Sequence, residues 1–182
     1  MNVRLNTIIP AILLVGIFLT SCERASSLVS EFDDVQAMVE DTKTRINEMT
    51  LDEFKSRMDG EDMFTLIDVR TNAEHNAGYI PGSVIIPRGK LEFSIANENF
   101  WEEEGMYTPL KDDILIVYCR SGNRSALAAE SLQKLGFTNV YSLDGGFTAW
   151  KASYPENVET NLPPATSSPQ PLVQAEEEAA GC

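Results

Sequence analysis

Apolar residues along this chain come in short runs, and the runs differ in period. Ile114-Leu115-Ile116-Val117-Tyr118 is the strongest, continuous and of strand length. Phe64-Thr65-Leu66-Ile67 ends at Asp68, Val84-Ile85-Ile86 ends at Pro87, and Val140-Tyr141-Ser142-Leu143 comes last. Compact runs without polar alternation read as strands buried on both faces. Between them the pattern turns helical. Thr50-Leu51-Asp52-Glu53 fits a capping box, in which the threonine oxygen accepts from a first-turn amide and the glutamate reaches back, so a helix is predicted over 51–58 with Asp59-Gly60 as its stop. Ser125 to Leu135 carries Ala128, Leu132 and Leu135 on one face, and Gly136 is placed to end that helix.

Strands alternating with helices predict an α/β domain whose parallel sheet is covered on both faces, with its site at the carboxyl ends of the strands. Upstream, Leu28, Phe32, Val35 and Val39 recur at helical spacing and predict a short amphipathic helix in residues 22–45, packing on the domain or spacing it from its surroundings. The folded domain is expected over 46–152. From 153 to 182 the chain is rich in Pro, Ser, Thr and Glu with few large apolar groups, and an unordered acidic tail is expected because little burial offsets the entropy of ordering it.

The first 21 residues open with MNVR and continue through the apolar IIPAILLVGIFL, shorter than the ~20 residues of a bilayer span and broken by Pro10 and Gly16. That is a signal peptide pattern. Leu19-Thr20-Ser21-Cys22 resembles the lipobox of bacterial lipoproteins, which implies lipidation of Cys22 and a domain tethered to a membrane in the cell envelope. Glu23 follows where some bacteria use an aspartate to retain lipoproteins at the inner membrane, so the outer membrane, facing the periplasm, is the expected address.

The 182 residues include 28 acidic and 14 basic side chains, a net charge of −14 that disfavours nucleic acid as a partner. Cys22, Cys119 and Cys182 are too far apart for a CxxC redox pair or a zinc knuckle, and His75 is the sole histidine, so no metal and no cofactor are expected. His75 reads as a surface or capping residue; Trp101 and Trp150 read as packing. A tail ending in Cys182 could swing that thiol toward the domain, with a reach of ~30 Å.

One segment breaks the acidic character. Directly after the Ile114–Tyr118 run stand Cys119-Arg120-Ser121-Gly122-Asn123-Arg124-Ser125, with two arginines and no acid. A turn from strand to helix gathers free amides at the positive end of a helix dipole, which favours an anion there, and that anion can be the sulfur of Cys119. Arg120 and Arg124 favour the thiolate further, with no histidine base needed. Gly122 permits a backbone angle a side chain resists, and Asn123 or Ser125 is placed to cap the helix.

With Asp68-Val69-Arg70, with Gly78-Tyr79-Ile80-Pro81-Gly82-Ser83, and with Leu143-Asp144-Gly145-Gly146-Phe147 and Trp150, that loop resembles the rhodanese family of sulfurtransferases. The resemblance implies a doubly wound parallel sheet flanked by helices. It further implies that Cys119 takes a sulfane sulfur from a small anionic donor such as thiosulfate and hands it to a thiol or cyanide acceptor. Residues 120–125 would bind the donor, Arg120 and Arg124 foremost unless one of the two pairs structurally, while Asp68 and Arg70 brace the site. Tyr79 stands where the family often has histidine. Cysteine phosphatases and arsenate reductases are the nearest rival chemistry, but their Cys-x5-Arg pattern places arginine where this chain has Ser125. A tethered module that binds a partner or carries sulfur without turnover is the other rival.

Overall fold

A computed structural model describes residues 31–60 and 62–162. The signal segment, Cys22 and Cys182 lie outside them. Five strands, β1 (Asn47–Met49), β2 (Thr65–Asp68), β3 (Ser83–Ile85), β4 (Ile114–Tyr118) and β5 (Asn139–Leu143), form one sheet of order β1-β5-β4-β2-β3. Every pairing is parallel. β4, the most continuously apolar run, takes the central position between β5 and β2, as burial on both faces requires.

The helices are α1 (Val35–Lys43), α2 (Leu51–Asp59), α3 (Asn72–Asn76), α4 (Leu91–Ser94), α5 (Glu98–Glu103), α6 (Asn123–Lys134) and α7 (Gly146–Ser153). Side chains of β4 alternate between two cores. Leu115, Val117 and Cys119 join Ala128, Ala129 and Leu132 of α6 with Leu91 and Trp101, while Ile116 and Tyr118 join Phe54 of α2 and Trp150 of α7. Trp101 and Trp150 are both fully buried, as their packing role predicts. Cys119 therefore continues the period of β4 toward α6, one residue past the last rung of the sheet.

Local signals account for the helix ends. The capping box at Thr50 and Glu53 forms, and α2 stops at Gly60. A second box at Thr71 and Glu74 opens α3. α6 ends in a Schellman turn: Gly136, at φ 91°, donates to Gln133 O at 2.9 Å and Phe137 donates to Leu132 O at 3.2 Å.

Two expectations change. On α1, Val39 is buried together with Thr42 on the predicted face, whereas Val35, in the first turn of the same stripe, is 68% exposed, so only the later part of the stripe is buried; Leu28 falls outside the described residues. The tail boundary also moves. Residues 155–161, which composition places in an unordered tail, dock onto the domain. Tyr79 and Glu159 exchange backbone bonds of 2.8 and 3.0 Å, Asn161 donates to Asn76 O at 3.1 Å, and Trp150 Nε1 donates to Asn157 O at 2.9 Å. Backbone pairing and one apolar contact, Val158 against the Trp150 cluster, suffice where composition counts only large apolar side chains. Residues 163–182 lie outside the description.

Candidate active site

The loop between β4 and α6 is pinned by α7. Phe147 N donates to Cys119 O at 2.8 Å and Thr148 N donates to Arg120 O at 2.9 Å, so the first free amides of α7 hold the carbonyls that open the loop. This requires Gly145-Gly146: both have positive φ, and a Cβ on Gly146 would lie 2.5 Å from Cys119 O. Gly122, at φ 93°, is the residue that turns the chain into α6. Neither Asn123 nor Ser125 caps that helix, because Gly122 occupies the cap position with no side-chain bond and both residues fall inside the first turn. The amides of Asn123, Arg124 and Ser125 consequently have no acceptor within the helix, and its positive end faces the loop.

Cys119 is a free, buried thiol. Its polar neighbour is Ser125, whose Oγ lies 3.7 Å from Sγ and 3.0 Å from Gly122 O. Ser142 of β5 donates to Ser125 Oγ at 2.9 Å. The Ser125 proton thus has two acceptors, the Gly122 carbonyl and the sulfur, and it can shift to sulfur when sulfur becomes anionic. Ser125, expected to bind the donor, is buried beneath the loop with its hydroxyl beside the thiol.

The other loop residues separate into distinct roles. Arg124 is not free for a ligand: Nη1 and Nη2 form a fork on Glu74 at 3.0 and 2.7 Å. The Glu74 carboxylate raises the Arg124 pKa against the opposing effect of burial, and the neighbouring Cys119 sulfur adds to it. The same fork, helped by bonds from Thr71, lowers the Glu74 carboxyl to about 2. Arg120 and Ser121 are exposed, and Asn123 turns its amide to Gln36 of α1 at 3.4 Å.

At the end of β2, Asp68 and Arg70 form the brace that the motif predicts. Arg70 gives Asp68 its backbone N–H at 2.9 Å, Nε at 2.9 Å and Nη2 at 2.6 Å, and its Nη2 also donates to Gly78 O at 2.8 Å. Burial opposes the Arg70 charge, but the Asp68 carboxylate outweighs it and holds the pKa above the ordinary value. The guanidinium lies 4.1 Å from the Phe147 ring centroid. His75 is not the surface residue expected. It is 6% exposed, its Nδ1 is 2.9 Å from Asp68 Oδ2, and its ring stacks on Tyr79 at 4.3 Å. The bond to Asp68 and the stack on Tyr79 hold the ring inward, which no periodicity in five residues reveals.

Between α3 and α7 a cleft of about 310 Å³ carries Arg120, Thr148 and Lys151 with Glu74 and Phe147. A larger hollow of about 710 Å³ lies over Glu48, Asp52, Glu53 and Tyr141. Its acidic lining contains none of the loop residues and suits no anionic donor, so the smaller cleft beside the loop is the relevant one. Sequence reasoning missed Glu74, Ser142 and Lys151. The Thr71-x-x-Glu74 spacing was visible as a cap, but the pairing of Glu74 with a residue fifty positions away was not.

Comparison with known proteins follows the same geometry. A family model described as a rhodanese-like domain matches residues 50–153. Over 102 residues the chain is 36% identical to thiosulfate sulfurtransferase GlpE of Pseudoalteromonas translucida, covering 56% of this chain and 86% of that protein. Among solved structures, the human single-domain sulfurtransferase TSTD1 superimposes with a TM-score of 0.54 at 29% identity, over 58% of this chain and 95% of that one. A Rhodopseudomonas palustris protein of unknown function, described as a possible tyrosine phosphatase, gives a TM-score of 0.56 at 29% identity, over 70% and 96%.

Proposed function

Because the chain belongs to the rhodanese-like family, whose model spans residues 50–153, we propose that it is a sulfurtransferase that moves a sulfane sulfur from a donor such as thiosulfate to a thiophilic acceptor, with Cys119 as the covalent carrier. The carrying observation is the placement of Cys119: a buried thiol at the end of the central strand, at the positive end of α6, with the Ser125 hydroxyl in reach of its sulfur.

The Cys119 thiolate attacks the outer sulfur of thiosulfate. The donor's S–S bond breaks, sulfite leaves with the electron pair, and a cysteine persulfide remains. An acceptor thiolate or cyanide then attacks the outer persulfide sulfur, and Cys119 leaves as thiolate. Each half-reaction exchanges one S–S bond or converts it to S–C without external redox, so the kinetics are ping-pong. The loop's dipoles and the Ser125 proton serve thiolate and persulfide alike, since both place negative charge on sulfur in the same bowl.

Phosphatase chemistry is disfavoured in spite of the likeness to the Rhodopseudomonas protein. The position that would need an arginine is Ser125, buried and bonded to Ser142, and Arg124 is occupied by Glu74. The test is the intact mass of the protein after exposure to thiosulfate. Wild type gains one sulfur and forms thiocyanate with cyanide, whereas Cys119→Ser gains none and loses about 10³-fold or more in rate. Sulfur uptake unchanged in the serine variant would remove Cys119 from the mechanism, and uptake without turnover toward any acceptor would recast the domain as a sulfur carrier.

We place the domain at the cell envelope, held by lipid on Cys22 and facing the periplasm; the support is the apolar leader and the Leu19–Cys22 pattern alone. Mass spectrometry of the mature N-terminus decides it: a diacylated Cys22 is expected, and an intact Met1 or an unmodified Cys22 would refute it.

A further inference from the structure

We propose that Lys151, together with Arg120, is the anion anchor for the sulfur donor, and that Glu74 weakens donor binding by keeping Arg124 out of that role. The proposal rests on the sulfur-transfer reading above and deepens it by assigning the groups that meet the donor's charge.

Four cations surround the loop. Arg70 also lines the cleft, but it is buried in an ion pair, its Nε and Nη2 held by Asp68 and Gly78. Arg124 has both ends of its fork on Glu74. Arg120 and Lys151 line the same cleft of about 310 Å³, both are exposed, and neither has an ion-pair partner among the described residues. Glu74 also lines this cleft, and its charge is spent on Arg124.

Thr148 connects the two free cations. Its amide bonds Arg120 O at 2.9 Å, and Lys151 stands three residues further along α7, on the same face of the helix. The contact that pins the loop therefore also brings Lys151 to the rim where Arg120 emerges. On a chain of net charge −14, a small dianion meets general repulsion, so two cations left uncompensated beside the thiol loop supply the local attraction. The ligand class is a compact sulfur oxyanion, with thiosulfate as the probe.

The experiment measures kcat/KM for thiosulfate at low salt in wild type and four variants, with cyanide as acceptor. Lys151→Ala is expected to lower it about three- to tenfold and Lys151→Glu further, through KM and with a flatter salt dependence. Glu74→Gln, which keeps a side chain able to close the capping box, is expected to raise it several-fold by freeing the Arg124 fork. Lys134→Ala makes the same charge change as Lys151→Ala at the far end of α6, about 18 Å along its 12 residues, and is expected to leave it unaltered. Equal effects of Lys151→Ala and Lys134→Ala would overturn the anchor. So would a Glu74→Gln protein of wild-type thermal midpoint whose KM is unchanged or higher. Sulfur uptake by wild type with flat charge variants sinks this proposal alone, whereas no uptake by wild type sinks the sulfur-transfer reading with it.

Discussion

β2 and β4 pair in register, Asp68 beside Tyr118, and the chain leaves both strands on the same edge of the sheet, yet the two departures use their polar groups differently. After β2, every charge is answered internally: Asp68 receives Arg70 and His75, and Arg70 also bonds Gly78. After β4, backbone carbonyls are bonded to α7, the Cys119 thiol lies beside the Ser125 hydroxyl and Arg124, and the guanidinium of Arg120 has no ion-pair partner among the described residues. The first loop is a brace that fixes position, and the second is held still by its backbone so that its side chains stay available. Reactivity here depends on restraint supplied from outside the reactive loop.

The largest effect should come from breaking the brace. Asp68→Ala leaves a buried guanidinium without its carboxylate and is expected to cost about 3–5 kcal/mol of stability, read from urea unfolding. A loss within the range of an ordinary surface change would mean that the pair is not what anchors β2. Next comes the restraint on the thiol loop. Gly146→Ala forces a left-handed conformation on a side chain and drives its Cβ against Cys119 O, for an expected cost of about 2–4 kcal/mol. Sulfur-transfer activity should fall more steeply than stability in this variant, since the displaced carbonyl belongs to the proposed nucleophile, Cys119. If activity merely tracks the folded fraction, α7 supports the fold without shaping the loop.

The smallest effect concerns the pair that links the two regions, Glu74 of α3 and Arg124 of α6. The Glu74 carboxyl is lowered to about 2 from 4.5, so its contribution is complete above the ordinary carboxylate range and fades as pH falls through that window. Both side chains are about a third exposed, and solvent screening limits the expected contribution to about 1 kcal/mol. Wild type should therefore lose about that much more stability than Glu74→Gln when acidified across the window, measured by denaturant titration at stepped pH. Parallel pH profiles for the two proteins would show that the fork contributes nothing to folding.

Several elements were legible from residues alone. β4 matches its predicted limits at Ile114 and Tyr118, and α2 begins at its capping box, because strongly apolar runs and side-chain caps are local signals. α3 and α4 were not identified, since elements of five and four residues carry too little periodicity to register, and β1, Asn47-Glu48-Met49, has a single apolar residue to mark it. At the site, Cys119, Asp68 and Arg70 were placed as expected. Arg124, expected with Arg120 to orient the donor unless it pairs structurally, is held by Glu74, and His75, expected at the surface or as a cap, is buried on Asp68.

By itself, the sequence determined the strand and helix periods, the class of sheet they build, and the position of a cysteine between a buried strand and a helix start, because all of these follow from interactions among near neighbours in the chain. Only the tertiary structure decided which charges are spent and which are free. Ion pairs form between groups brought together by the packing of helices on the sheet: Glu74 reaches Arg124 across fifty residues, and α7 arrives from beyond β5 to hold Cys119 in place.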